Sequence, residues 1–301
     1  MSDPAPTVSR CGYVALVGRP NVGKSTLLNR LVGQKIAITA DRPQTTRHAV
    51  LGIHTQGDDQ ILYVDTPGLH AGEKRALNRA MNRNARAALA DVDVVVMLVE
   101  AGRWTEGDDF VLRLVEGARG AKILAINKAD RIRPREALLP FMEACAARLA
   151  WDEIVPLSAL NGENVDRLEG CLRARLPASP HLYGPDEITD RSERFLVAEL
   201  VREKLFRRLG EEVPHQLTVD IDRWQEDARG LLIHATILVE REGQRAIVLG
   251  HQGERIKQVG IDARRDVEAL LGRHVRLELW IKVRGGWSDD ARMLRRLGLE
   301  S

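Results

Sequence analysis

Gly18–Ser25 reads GRPNVGKS, and the fold turns on that stretch. It follows the apolar run Tyr13–Val17 (YVALV) and leads into Thr26–Leu31 (TLLNRL). The order is strand, glycine-bounded loop, helix, and the loop fits the phosphate-cradling pattern G-x-x-x-x-G-K-S. Gly18 lets the chain leave the strand on a tight turn. Gly23 carries no Cβ, so backbone N–H groups can close on phosphate oxygens. Lys24 supplies a point charge for the β- and γ-phosphates, and the Ser25 hydroxyl suits Mg²⁺. The helix that follows aims its positive end at the same place. Gly18, Arg19, Pro20, Asn21, Val22, Gly23, Lys24, Ser25 and Thr26 are the expected phosphate-side contacts. The competing reading, a βα turn with a chance Lys-Ser, leaves the motif and its context unexplained.

Downstream, Gln34–Arg47 (QKIAITADRPQTTR) lacks amphipathic periodicity and reads as a mobile loop. Thr45 and Thr46 lie in it, and either hydroxyl could reach a metal; elsewhere they would be two exposed threonines. His48–Ile53 and Gln60–Val64 read as a hairpin around Gly57-Asp58-Asp59. The second strand runs into Asp65-Thr66-Pro67-Gly68. Asp65 suits a water-mediated Mg²⁺ contact, and Gly68 can offer its N–H to a γ-phosphate. Lys24, Gly68 and one of Thr45 or Thr46 are therefore the residues expected to act on the transferring phosphoryl group. A charged stretch becoming a helix, Gly72–Ala90, comes next, then a buried strand, Asp91–Val99 (DVDVVVMLV). After a helix capped by Thr105, Lys122–Ile126 (KILAI) ends in Asn127-Lys128-Ala129-Asp130.

That tetrad selects the base. A carboxylate placed as Asp130 accepts from guanine N1–H and the 2-amino group. Adenine has neither donor there and would leave a buried acid unpaired. Asn127 can tie the tetrad to the phosphate loop, and the Lys128 stem can cover the ring. The backbone N–H groups of Ser158, Ala159 and Leu160 are candidates for guanine O6. Helices at Arg135–Leu149 and Glu163–Leu176 flank the strand Glu153–Leu157. Alternating strands and helices from Tyr13 to Leu176 predict a doubly wound, mostly parallel sheet with nucleotide at its carboxyl edge.

The bulk properties agree with two domains. The chain has 301 residues, 44% hydrophobic but only 4% aromatic, so its cores are aliphatic. Net charge is +2, which points to no particular partner. Cys11, Cys145 and Cys171 are isolated and read as reduced thiols. The N-terminus has no apolar signal region, and residues 1–10 read as a disordered lead-in. The expected division is a GTPase domain over 11–177, a proline-rich linker over 178–190 and a second domain over 191–301.

In that second domain a helix spans Ser192–Leu209, with Thr189 or Asp190 as cap. Strands follow at Gln216–Arg223 and Leu231–Glu240, then helical segments at Glu254–Val259 and Asp262–Leu271, then a strand at Val275–Val283. Gly250-His251-Gln252-Gly253 lies between helical segments. The order α-β-β-α-α-β with this loop is the layout of a KH domain, which clamps about four nucleotides of single-stranded RNA. Gly250, His251, Gln252, Gly253, Arg255 and Lys257 are the candidate RNA contacts. Residues 181–301 hold 21 Lys and Arg against 22 Asp and Glu, so an RNA footprint must be local. The whole chain is expected to be an α/β P-loop GTPase domain followed by an α+β type II KH domain.

Taken together, GRPNVGKS, PQTTRH, DTPGLH, NKAD, ITDRSERF and GHQGERIKQVG resemble the Era family of bacterial GTPases over nearly the full length. The resemblance implies slow, Mg²⁺-dependent hydrolysis of GTP to GDP, with Thr46 as the switch threonine reaching Mg²⁺. It also implies a monomer that binds the 3′ end of 16S ribosomal RNA and matures the 30S subunit. A cytoplasmic location with partial contact to the inner membrane face goes with it. A GTPase signalling in growth or the cell cycle through a protein partner or membrane surface is the alternative. Three positions set this chain apart. Leu69 follows DTPG where small signalling GTPases carry a water-orienting glutamine, so K⁺ near Asn21 becomes a candidate aid to hydrolysis. The glycine loop holds His251-Gln252 where a basic residue and glycine are common. Arg284-Gly285-Gly286-Trp287 replaces a lysine-rich stretch, and Trp287 is either a base-stacking or a packing residue.

Overall fold

The computed structural model describes residues 9–40, 45–68, 81, 83, 86, 87, 89–210 and 213–296. Leu69, the start of the helix expected over 72–90 and the end of the C-terminal tail lie outside those residues. Two compact units change over at Asp190–Arg191.

The first unit is a six-stranded sheet. Its strands are β1 (Arg10–Val17), β2 (Val50–Gln56), β3 (Asp59–Asp65), β4 (Val94–Glu100), β5 (Ala121–Asn127) and β6 (Glu153–Pro156). Their spatial order is β2-β3-β1-β4-β5-β6. Only the β2–β3 pair is antiparallel. Among the described residues its helices include α1 (Lys24–Val32), α2 (Glu106–Glu116), α3 (Leu138–Ala146) and α4 (Val165–Arg173). Val94–Val99 are all fully buried, as expected of a central strand covered on both faces. One side of the core packs Met97, Leu124 and Ile126 against Val111 and Val115 of α2. After β1 the chain builds β2–β3 on one side and β4–β6 on the other. The carboxyl end of β1 is therefore the topological switch point, where open α/β sheets bind ligands.

The proline-rich stretch after Pro177 is not a free tether. Leu182 and Tyr183 N–H donate to Gln60 Oε1 at 2.8 and 3.0 Å, and Ile53 N–H donates to Ile188 O at 2.9 Å. Gln60 is fully buried, so these bonds satisfy a polar group that burial would otherwise leave unpaired. At the other end, Arg10 already belongs to β1, and Ser9 Oγ donates to Ser179 O at 3.0 Å. Ser9 and Arg10, expected in the lead-in, are thus tied to the first unit.

The second unit has α5 (Glu193–Arg208), β7 (Leu217–Asp227), β8 (Gly230–Val239), α6 (Glu242–Leu249), α7 (Glu254–Leu271), β9 (Val275–Val283) and α8 (Ala291–Arg296). Its sheet runs β7-β8-β9, with β7–β8 antiparallel and β8–β9 parallel. Ser192, rather than Thr189 or Asp190, caps α5 by accepting from Phe195 N–H at 3.3 Å. The two helical segments expected at 254–259 and 262–271 are one helix. Val259, Ala263 and Val267 form a continuous buried stripe at i, i+4 and i+8, and this packing carries the helix through Gly260. Trp287 is fully buried, with Nε1–H donating to Gln216 O at 3.3 Å, so it packs and does not stack.

Candidate functional site: a nucleotide pocket and an RNA-facing groove

Lys24 begins α1, and Gly23 caps it in the left-handed region at φ 104°. A Cβ on Gly23 would lie 2.3 Å from Asn127 Nδ2. The glycine is required there by a protein contact as well as by its backbone angle. Lys24 is buried, with Nζ donating to Gly18 O at 2.9 Å and Arg19 O at 3.1 Å. Burial lowers its ammonium to about 8, with Asp65 partly compensating. Gly68 sits against Pro20, where a Cβ would meet backbone at 2.9 Å.

Three oxygens gather beside the lysine. Ser25 Oγ donates to Asp65 Oδ2 at 2.7 Å and lies 2.7 Å from Thr46 Oγ1. Asp65 is fully buried, and its Oδ1 has no hydrogen-bond partner. Burial raises its carboxyl to about 6, against the pull of Lys24 and Ser25. An all-oxygen set with one orphaned carboxylate oxygen fits a hard divalent cation. Thr45, the other candidate, is buried and donates to Ala40 O at 3.4 Å. Asn21 is exposed, in the left-handed region at φ 64°.

Asn127 closes the base side. Its Nδ2 donates to Val22 O at 2.7 Å and its Oδ1 accepts from Ala159 N–H at 2.9 Å. One side chain thus joins the phosphate loop, the tetrad and the Ser158–Leu160 loop. Ser158 N–H donates to Glu163 O at 3.0 Å, so two of the three N–H groups expected at guanine O6 are engaged within the protein. Asp130 follows in a 3₁₀ turn and is half-buried. Arg30 braces the same loop from outside through the carbonyls of Ala159 and Leu160. Sequence reading missed Glu100 and Asp108, which hold Arg19 at 2.9 and 3.2 Å. The signal for Glu100 was present: like Asp65, it is an acid ending an apolar strand.

In the second unit the glycine loop takes positive φ at three of its four residues. Gly250 and Gly253 take φ 73° and 79°, and Gln252 takes φ 47°. Beside it a groove of about 320 Å³ is lined by Ile256, Lys257, Gly260, Ile261, Arg264, Leu277 and Leu279. Lys257 is exposed on this groove, whereas the Arg255 guanidinium turns back to Ile247 O. Arg264 is the other cation lining the groove. Among the described residues no helix is long and apolar enough to cross a membrane.

Comparison with known proteins decides the family. A family model described as "50S ribosome-binding GTPase" matches residues 13–128, and one described as "KH domain" matches 212–288. GTPase Era of Ectopseudomonas mendocina is 57% identical over 291 residues, 97% of each chain. GTPase Era of Pseudomonas aeruginosa is 56% identical over 298 residues, 99% of this chain and 98% of that one. The chain belongs to the Era family of GTPases. Two solved Era structures superpose at TM-score 0.94 and 37% identity, covering 97% of this chain and 100% of theirs. One is an Aquifex aeolicus Era variant bound to GDP·AlF4⁻; the other is Era with MgGDPNP and nucleotides 1506–1542 of 16S ribosomal RNA. This Era-family chain is thus a GTPase joined to a KH domain.

The two shifted groups make the pH dependence explicit. Asp65 must be deprotonated to face a cation, and with its raised value it protonates as pH falls through about 6. Lys24 must be protonated to face phosphate, and with its lowered value it neutralises as pH rises through about 8. Isothermal titration with Mg²⁺ and GDP is expected to give the tightest binding between these limits, weakening on both sides.

Proposed function

We propose that this chain is a Mg²⁺·GTP-dependent switch that binds the 3′ end of 16S ribosomal RNA through its KH groove and acts in 30S subunit assembly. The observation that carries the nucleotide half is the Asn127 bridge, which holds the phosphate loop, the tetrad and the Ser158–Leu160 loop together. In this reading the amides of Gly18–Thr26 and the Lys24 ammonium hold the phosphates. Gly68 N–H faces the γ-phosphate, Asp130 reads the guanine edge, and the Lys128 stem covers the ring. Ser25 and Thr46 hold Mg²⁺ directly and Asp65 holds it through water. Bound there, Mg²⁺ supplies charge neutralisation for the phosphates. Thr46, with Gly68, reports whether the γ-phosphate is present.

The RNA half rests on the groove. Four aliphatic side chains, Ile256, Ile261, Leu277 and Leu279, offer apolar surface to unstacked bases, while Lys257 and Arg264 stand ready for phosphates. The Era structure with a 16S ribosomal RNA fragment supports the same assignment for its close structural counterpart here.

Three measurements test the proposal. Asp130→Asn is expected to exchange preference from GTP to xanthosine triphosphate, by about 1–3 kcal/mol in competition binding. Unchanged GTP affinity would contradict the base assignment. Gly253→Asp forces a side chain and a charge into the left-handed loop position. Filter binding of the full chain to a 16S 3′-end fragment should weaken at least about tenfold, while GDP affinity holds. Asn21 is proposed to help hold K⁺, so turnover should be faster in K⁺ than in Na⁺ buffer; equal rates remove that role.

A further inference from the structure

Glu100 ends β4 and faces two parts of the nucleotide site. The β4–β5 register sets it opposite Asn127, and Ala101 N–H donates to Asn127 O at 2.8 Å. Its side chain is 19% exposed. Oε2 accepts from Arg19 Nη2 at 2.9 Å, and Oε1 accepts from Lys128 Nζ at 3.0 Å, with Arg131 Nη1 at 3.7 Å. Arg19 is held from its other side by Asp108 Oδ2, 3.2 Å from Nε, on a fully buried carboxylate. One carboxylate therefore spans the second residue of the phosphate loop and the second residue of the NKAD tetrad.

The local backbone does not account for where Lys128 points. Lys128 is a non-glycine residue in the left-handed region at φ 63°, a conformation that neighbours must hold in place. Partial burial works to raise the Glu100 carboxyl. The hydrogen bonds and charges of Arg19 and Lys128 outweigh that and keep it below the usual carboxylate range, so it stays ionised. An isolated surface ion pair contributes little. This one is partly buried, hydrogen-bonded on both oxygens and shared by two functional loops, where charge-assisted bonds are stronger.

We infer that Glu100 is a positioning residue for guanine-nucleotide retention: it holds the Lys128 stem over the base while anchoring the phosphate loop through Arg19, and so sets nucleotide residence time. The inference rests on the nucleotide reading given above. It is separate from mere fold support. The β4–β5 ladder and the Asn127 bridge already tether these loops, and neither requires the Glu100 charge.

The test is release of a fluorescent GDP analogue from the full-length protein, followed by stopped flow. Glu100→Gln keeps the shape and loses the charge; it should speed release about tenfold, the equivalent of about one charge-assisted bond. Glu100→Asp, which keeps the charge on a shorter arm, should restore part of the slow release. In a Lys128→Met background, Glu100→Gln should add clearly less than about tenfold, because the lysine it positions is gone and only its hold on Arg19 remains. Release from Glu100→Gln at the wild-type rate overturns the inference. So does an Asp variant as fast as the Gln variant, or full additivity with Lys128→Met. If the wild-type protein retains no GDP, the nucleotide reading itself fails; if it retains GDP and Glu100→Gln does too, only the role of Glu100 fails.

Discussion

The nucleotide site depends on one buried amide. Asn127 is 3% exposed and spends its donor on Val22 O and its acceptor on Ala159 N–H. Buried amides must be paired, and here the pairing joins loops far apart in sequence. The consequences spread outward. Gly23 must lack a side chain, because a Cβ would strike Asn127 Nδ2 at 2.3 Å. The β4–β5 register then puts Glu100 beside the same residue, within reach of Arg19 and Lys128. The phosphate loop and the base loop are thus one mechanical unit built around a strand end.

Charge gives the unit its purpose. Lys24 and Asp65 are both buried, the first pushed down to about 8 and the second up to about 6. Removing either charge from water costs several kcal/mol, and their mutual attraction recovers only part. An anion beside Lys24 and a cation beside Asp65 would relieve that cost. The same arrangement explains the orphaned Asp65 Oδ1, which would otherwise be an unexplained buried oxygen.

The KH unit solves a different problem with little net charge. Its groove floor is aliphatic, and its cations stand at the rim on α7. Affinity in such a groove comes from base contact as well as from counterion release. The Arg255 guanidinium donates to the Ile247 carbonyl, while Lys257 lines the groove. Arg264 shares the groove with Lys257 because it lies about two helical turns beyond it on the same helix face, a placement that periodicity shows only after the helix is known to be continuous through Gly260.

Sequence alone determined the strand–loop–helix at GRPNVGKS, the guanine-selecting NKAD, the α/β sheet and the KH element order, because each is encoded by contiguous residues whose types and spacing carry the chemistry. It also put forward Ser25, Asp65 and one of Thr45 or Thr46 as oxygens for a cation; the structure brings Ser25, Thr46 and Asp65 together. Tertiary structure alone decided the Asn127 bridge, the Glu100 link, the seating of residues 179–188 on β2–β3 and the burial of Trp287. These depend on strand order and register, which bring together groups about 28 to 135 positions apart, a distance over which local pattern carries no signal.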